Sequence, residues 1–141
     1  MDQNIITSAD IIAMFCRLQM FSKKDLPIRS SEMGVLIYVY KQSENVTPLM
    51  ISNYFQIAKP TVTAMINELV KNEYLVKYVS NSDKRSYIVS ITDKGKELVM
   101  SAYQEYFKFI LILEDRMGEK DFKTFINLME RANTILNEVT K

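Results

Sequence analysis

The feature that most constrains the fold is the stretch TPLMISNYFQIAKPTVTAMINELV, which contains two short helical patterns joined by a tight turn. Thr47 followed by Pro48 is typical of a helix N-cap and first helical position, and the apolar spacing continues to about Phe55. After a short break, a second helix is predicted to start at Ala58 or Lys59. Its inward stripe has three- and four-residue spacing and comprises Val62, Met65, Ile66, Leu69 and Val70.

A two-stranded ribbon is predicted directly after these helices. Residues Leu75 to Val79 and Ser86 to Ile91 are rich in β-branched and aromatic side chains, and apolar and polar residues partly alternate in the second run. Three consecutive charged residues occupy the tip between the two strands: Asp83, Lys84 and Arg85. A plain solvated turn does not need this arrangement, so the tip is a candidate for binding.

Long helical patterns surround this central segment. Residues 5–22 predict a first helix that is apolar on much of its circumference and should pack on two sides, and residues 30–43 predict a buried second helix in which Gly34 indicates close packing. Behind the ribbon, a fifth helix runs to about residue 117, and a sixth follows after Gly118. The fifth helix is capped by Thr92 and Asp93, and Gly95 in its first turn implies a close neighbour.

The order of these elements predicts a mainly α protein with a small β-hairpin wing, a winged helix-turn-helix within a helical frame. With 141 residues, the chain is about one domain long, so we expect a single domain over residues 1–141. The winged part would span about residues 30–92, and the flanking helices would span about residues 1–25 and 93–141. Because these flanking helices hold more apolar surface than one small winged part can cover, we expect them to form a dimer; the alternative is that they pack within one chain.

Composition excludes several classes of function. The chain has no His and a single Cys, so it lacks the side chains of common hydrolases and zinc sites, and we expect no enzyme activity, metal or cofactor. No apolar stretch is long enough for a bilayer and no signal-peptide pattern is present, so we expect a cytoplasmic protein with no membrane partner. The formal net charge is +1, yet residues 41–96 hold eight Lys/Arg against five Asp/Glu, or +3. The middle third of the chain is therefore modestly basic, which alone is only weak evidence for a polyanionic partner.

The predicted winged helix-turn-helix suggests double-stranded DNA as the partner. In such a fold the second short helix enters the major groove by its N-terminal residues, and the wing tip lies in the minor groove or along the backbone. Arg85 could enter a narrow minor groove while Asp83 orients its guanidinium and Lys84 faces phosphates; the alternative is an ordinary solvated turn. The predicted DNA-binding residues are Lys59, Pro60, Thr61, Thr63, Asn67, Asp83, Lys84 and Arg85.

These residues resemble the multiple-antibiotic-resistance regulator (MarR) family of winged-helix transcription regulators. The resemblance covers roughly residues 47–98, and its most specific elements are the triplet DKR of the wing, the sequence ITDKG after it and the helix TVTAMINEL before it. It implies a homodimer whose first, fifth and sixth helices form the interface and whose two winged parts read the halves of a palindromic operator. It also implies repression in most members, relieved by a small molecule or by oxidation.

The chain departs from the family pattern at three positions. Gln56 stands in the turn where the family often has Gly. Ala58 stands where the family often has Ser as the cap of the second short helix, the recognition helix, and Glu73 stands where Gly is common before the wing. These departures concern the two ends of the recognition helix and leave the wing triplet unchanged.

The resemblance suggests two sensing schemes, and the near-neutral net charge leaves one further function open. A small aromatic effector, such as a flat phenolic anion, could bind in a cleft lined by Tyr38, Tyr54, Phe55, Tyr103 and Phe107, although these residues could equally be core aromatics. Cys16 could sense peroxide, but with no basic cluster nearby a buried apolar thiol is the simpler interpretation. The further alternative is a winged module that binds protein and not DNA.

Overall fold

The computed structural model describes residues 1–21, 26–79, 82 and 86–140, the side chains of residues 19–21 excepted. Its elements in chain order are α1 (Gln3–Phe21), α2 (Ser30–Lys41), α3 (Pro48–Phe55), α4 (Lys59–Lys71), β1 (Leu75–Val79), β2 (Tyr87–Ile91), α5 (Asp93–Met117) and α6 (Glu119–Val139). This order confirms the predicted fold class. Contacts divide the chain into a terminal unit, Met1–Asp25 with Gln104–Lys141, and a winged unit, Leu26–Tyr103.

The core of the winged unit collects the inward faces of all its elements. The predicted stripe of α4 is confirmed, because Val62, Ile66 and Leu69 are fully buried and Met65 and Val70 are partly buried. Removal of this apolar surface from water is the main favourable contribution that holds the two short helices in place. The other buried apolar residues are Met33, Val35, Leu36, Val39, Val46, Ile51, Tyr74, Leu75, Val89, Val99 and Ala102.

Helix α3 begins and turns as the sequence indicates. Thr47 is its N-cap: the hydroxyl oxygen accepts a hydrogen bond from Met50 N at 3.2 Å, and Pro48 occupies the first helical position. At the other end, the Ser52 hydroxyl donates a hydrogen bond to Ile57 O at 2.6 Å. This bond satisfies a backbone carbonyl in the turn that leads to α4.

Both short helices end at a residue with a left-handed backbone. Gln56 after α3 has φ 58°, and Glu73 after α4 has φ 67°. At the end of α4, Tyr74 N donates to Leu69 O at 2.9 Å and Glu73 N donates to Val70 O at 3.0 Å, which is the pattern of a Schellman motif. Glycine is favoured at such a position because a Cβ disfavours the left-handed conformation. The chain therefore carries backbone strain at the ends of both short helices.

We expect glycine at either of these positions to stabilise the chain. Gln56→Gly and Glu73→Gly each relieve the left-handed strain, and after the entropy that glycine adds to the unfolded chain the gain in unfolding free energy is about 1 kcal/mol. Urea unfolding at a fixed protein concentration measures the gain. The control is Gln42→Gly at the end of α2, where φ is −78° and glycine relieves nothing. A loss of stability at all three positions would contradict this explanation.

The ribbon pairs as predicted and also gains a contact that the sequence did not indicate. β1 and β2 are antiparallel, and their last pair places Val79 opposite Tyr87, so Ser86 lies just outside the strand in which it was predicted. Val46 forms a bridge with Val89, with Val89 N donating to Val46 O at 2.8 Å. A single apolar residue between polar neighbours shows no strand period, which is why this bridge was not predicted.

The start of α5 confirms both the predicted cap and the predicted close neighbour. Gly95 N donates a hydrogen bond to the Thr92 hydroxyl oxygen at 3.0 Å. A Cβ on Gly95 would overlap the backbone oxygen of Tyr74, so glycine is required there. A Cβ on Gly34 in α2 would lie 3.6 Å from Phe55 Cε1, an ordinary contact distance. The close packing predicted from Gly34 therefore does not depend on glycine.

The terminal unit consists of α1, α6 and the part of α5 from Gln104 onward. The ring of Phe15 lies 6.1 Å from that of Phe109 and 5.7 Å from that of Phe125, centroid to centroid. The other described side chains of α1 are exposed, so the expectation that this helix packs on two sides is wrong for the single chain. The exposed large apolar residues within the helices of this unit are Ile5, Ile6, Ile11, Ile12, Met14, Leu18, Phe107, Leu111, Ile112, Met117, Ile126, Leu128, Ile135, Leu136 and Val139.

Candidate DNA interface

Helix α4 presents its first turn to solvent. It begins at Lys59, and its N-cap residue Ala58 has an extended backbone and supplies no side-chain hydrogen bond. Val62 in this turn is 0% exposed and fixes the helix to the core. The predicted DNA-binding residues of this helix are all exposed: Lys59, Pro60, Thr61, Thr63 and Asn67.

Four of the exposed residues of α4 form one continuous stripe. Pro60, Ala64, Asn67 and Lys71 are exposed and follow the spacing i, i+4, i+7 and i+11, so they lie on one face of the helix. Lys71 was missed in the sequence analysis, although this spacing from Pro60 is the signal that could have found it. Lys71 thus places a cation on this stripe near the end of α4, and Lys59 is a second exposed cation at the start of the helix.

A groove lies along one flank of the same helix. It has a volume of about 760 Å³ and runs between the segment from Leu26 to Glu32 and the side chains of Thr61, Met65 and Glu68. Glu32 is only 6% exposed, and its Oε1 accepts a hydrogen bond from Arg29 N at 3.2 Å. Thr61 therefore borders the groove, whereas Asn67 lies on the outer stripe.

The wing is described up to its tip. Asp83, Lys84 and Arg85 lie outside the described residues, so their arrangement remains a prediction. Below the tip, Lys77 Nζ lies 4.0 Å from the centroid of the Tyr87 ring, a cation–π contact across the ribbon. This contact and the strand ladder hold the two strands together below the tip.

Three of the five predicted effector-binding residues lie close together. Tyr38, Tyr54 and Phe55 form one cluster, with ring centroids 4.7 Å apart for Tyr38 and Tyr54, 4.8 Å for Tyr54 and Phe55, and 5.9 Å for Tyr38 and Phe55. Tyr103 pairs with Tyr40 at 6.1 Å. Phe107 belongs to the terminal unit. Since Tyr54 is 65% exposed, it is not a core aromatic.

The thiol of Cys16 is exposed, so the expectation of a buried side chain is wrong for the single chain. The reason is that the described side chains of α1, apart from Phe15, lack a covering neighbour in their own chain.

Within the described ranges, no group of three or more acidic, His or Cys side chains could hold a metal ion. None of the helices described is long and apolar enough to cross a membrane.

Sequence comparison assigns most of the chain to a known family. Residues 17–101 match the family model described as transcriptional regulator SarA/Rot. The curated HTH-type transcriptional regulator BilQ from Clostridioides difficile is 23% identical over 104 residues, which cover 74% of this chain and 70% of BilQ.

Structural comparison gives the same fold. The crystal structure of Streptococcus pneumoniae FabT in complex with DNA matches with a TM-score of 0.81 at 19% identity and covers 98% of this chain and 99% of that chain. A MarR/EmrR family transcriptional regulator from Acinetobacter sp. ADP1 matches with a TM-score of 0.71 at 18% identity, over 98% and 99% of the two chains. The resemblance to MarR is thereby confirmed. The chain has the MarR-type winged helix-turn-helix fold and belongs to the SarA/Rot family of transcriptional regulators, which makes it a regulator of transcription and not an enzyme.

Proposed function

We propose that the chain forms a homodimer that binds a palindromic operator in double-stranded DNA and represses transcription in the cytoplasm. Each α4 would enter the major groove and each wing the minor groove. The observation that carries this proposal is the exposed face of α4 on a helix whose opposite face is fully buried. A helix held in this way presents its outer side chains in a fixed orientation, as the reading of base edges requires. A relative of the same fold, FabT, was crystallised in complex with DNA, which supports the proposal.

The side chains of α4 would contact different parts of the DNA according to their chemistry. Lys59 and Lys71 would bind phosphates, and the hydroxyls of Thr61 and Thr63 would reach phosphates or base edges. The amide of Asn67 could pair with the edge of an adenine. In the wing, Arg85 would enter the minor groove. Asp83 would orient the Arg85 guanidinium and Lys84 would face the backbone, as the sequence predicts.

Dimerisation is supported by the apolar surface of the terminal unit. Ile12 in α1 and Leu136 in α6 are 64% and 59% exposed, and many apolar neighbours on the same helices are also exposed. Soluble monomers rarely expose apolar patches of this extent, and a second copy of the chain would cover them. Two linked winged units would also bind far more tightly than one, because the second contact becomes intramolecular.

A small aromatic effector would relieve repression in this scheme. The cluster of Tyr38, Tyr54 and Phe55 supports such a site in part, since its rings are close together and Tyr54 is exposed. A flat ring could stack on these side chains. The remaining predicted positions, Tyr103 and Phe107, are not needed for this smaller site.

Binding of the wild-type protein to duplex DNA over a series of salt concentrations tests the proposed function. The probes are a duplex selected by the protein from a random-sequence pool and a random duplex of the same length. We expect the logarithm of the affinity to fall linearly with the logarithm of salt concentration, because binding releases condensed counterions.

The near-neutral net charge of +1 favours a second candidate function, a winged module that binds protein. Such a module would show no affinity for either duplex at low salt.

The wing contact has its own test. We expect Arg85→Ala to weaken binding to the selected duplex by roughly 10- to 100-fold. Arg85→Lys keeps the charge but loses the planar guanidinium that suits a narrow minor groove, so it should recover only part of the affinity. If Arg85→Ala binds as tightly as wild type, the wing tip has no role in the minor groove.

A further inference from the structure

Lys94 occupies a position that its charge alone would not favour. It lies in the first turn of α5, where the positive end of the helix dipole disfavours a cation. Its ammonium group instead donates a hydrogen bond to Asn72 O at 2.8 Å and lies 4.7 Å from the centroid of the Tyr74 ring. Asn72 is the C-cap residue of α4, so Lys94 reaches the negative end of the recognition helix.

The same turn is held by a second residue at the start of α5. The Thr92 hydroxyl donates toward Glu73 O at 2.6 Å and Tyr74 O at 3.0 Å, and Thr92 N also donates to Tyr74 O at 3.1 Å. Together with Lys94, these contacts engage the carbonyl groups of three consecutive residues, 72 to 74. This segment is the whole connection between the end of α4 and the start of β1.

We propose that Lys94 is a positioning residue that fixes the recognition helix relative to the wing. Glu73 holds a strained left-handed backbone at the centre of this connection, and contacts on both sides of it keep the strained turn in one conformation. The relative direction of α4 and the ribbon depends on that turn. Without Lys94, α4 and the wing would each keep their own DNA contacts. Their relative direction would vary, so α4 would bind the major groove and the wing the minor groove at the same time in a smaller fraction of complexes.

The inference rests on the proposed binding of DNA, and its test therefore begins with a measurement that needs no DNA. The variants are Lys94→Met, Lys94→Arg and, as a control for charge, Lys96→Met. Lys96 is exposed in the same turn of α5, and its side chain makes no hydrogen bond, ion pair or ring contact within the described part of the chain. We expect hydrogen exchange at the Glu73 and Tyr74 amides to become several-fold faster in Lys94→Met, to stay at the wild-type rate in Lys96→Met and to be restored largely by Lys94→Arg.

The second measurement is the ratio of affinities for the selected and the random duplex. We expect this ratio to fall about tenfold in Lys94→Met, since a misaligned contact costs about as much as a mismatched base pair. The salt dependence should match that of Lys96→Met. Lys94→Arg should recover the ratio, because a guanidinium can also reach a carbonyl at a helix end.

The possible results separate cleanly. If binding to both duplexes weakens equally in Lys94→Met and the salt slope falls by about one more than in Lys96→Met, Lys94 is a phosphate contact and the inference is overturned. Unchanged amide exchange, or faster exchange with an unchanged affinity ratio, also overturns it. If the wild-type protein binds neither duplex, the proposed function fails, whereas unchanged exchange with normal wild-type binding rejects only the role of Lys94.

Discussion

Leu136→Glu is expected to dissociate the dimer and to lower the affinity for the selected duplex by about a hundredfold. Leu136 is exposed on the apolar face of α6, near Leu128, Ile135 and Val139 on the same helix. A carboxylate buried there without a partner would oppose association strongly. The single chain would then bind DNA only through the few phosphate contacts of its one winged unit. Analytical ultracentrifugation gives the oligomeric state and a binding titration gives the affinity.

The control is Asn127→Glu, which introduces a negative charge on the same helix. Asn127 lies nine residues before Leu136, or two and a half turns, and is therefore on the opposite face of α6. It should leave both assembly and binding unchanged. Phe125 and Met129 fit the interface by their spacing, but both are partly buried in the single chain and Phe125 packs on Phe15, so charge there would damage the unit itself. A monomeric Leu136→Glu protein with full affinity would disprove the need for a dimer.

Gly95→Ala is expected to lower the free energy of unfolding by about 3 kcal/mol. The added Cβ would overlap the backbone oxygen of Tyr74 and would lie 2.7 Å from Ile91 Cγ1. The Tyr74 carbonyl cannot move away without cost, because it accepts a hydrogen bond from Thr92 N and shares the single hydroxyl proton of Thr92 with the Glu73 carbonyl. Urea unfolding followed by circular dichroism measures the change.

Gly34→Ala provides the matched control, since Gly34 also lies in a helix. Its Cβ would meet Phe55 only at contact distance, and alanine is favoured over glycine in a helix by about 1 kcal/mol. We therefore expect this variant to be more stable than wild type. Equal destabilisation by both variants would show that helix position and not the Tyr74 contact sets the cost.

Features determined by neighbouring residues were predictable from the sequence. The Thr47 cap, the buried stripe of α4 and the break at Gly118 each depend on residues within a turn or two of one another, so local spacing was sufficient. The requirement for glycine at position 95 was also visible as a helix-start glycine, but its cause, the Tyr74 carbonyl, was not.

Features that depend on distant parts of the chain were not predictable. The Val46 bridge needs a partner more than forty residues away, and nothing local distinguishes it. The exposure of Cys16 was also mispredicted, because helical periodicity shows which face is apolar but not whether the same chain covers it. Likewise, family resemblance marked Gln56 and Glu73 as departures, and only the backbone angles showed that both are strained.

The strain at Glu73 bears on how this regulator can change over evolutionary time. A substitution on the exposed outer face of α4 that altered the bases read would change the free energy of unfolding by up to about 0.5 kcal/mol. Glycine at position 73 would more than offset a loss of that size, because it would raise the free energy of unfolding by about 1 kcal/mol. A chain that still has Glu73 can therefore gain stability from a change to glycine when it acquires substitutions that alter the operator it reads. A chain that already has glycine at this turn has no such gain available.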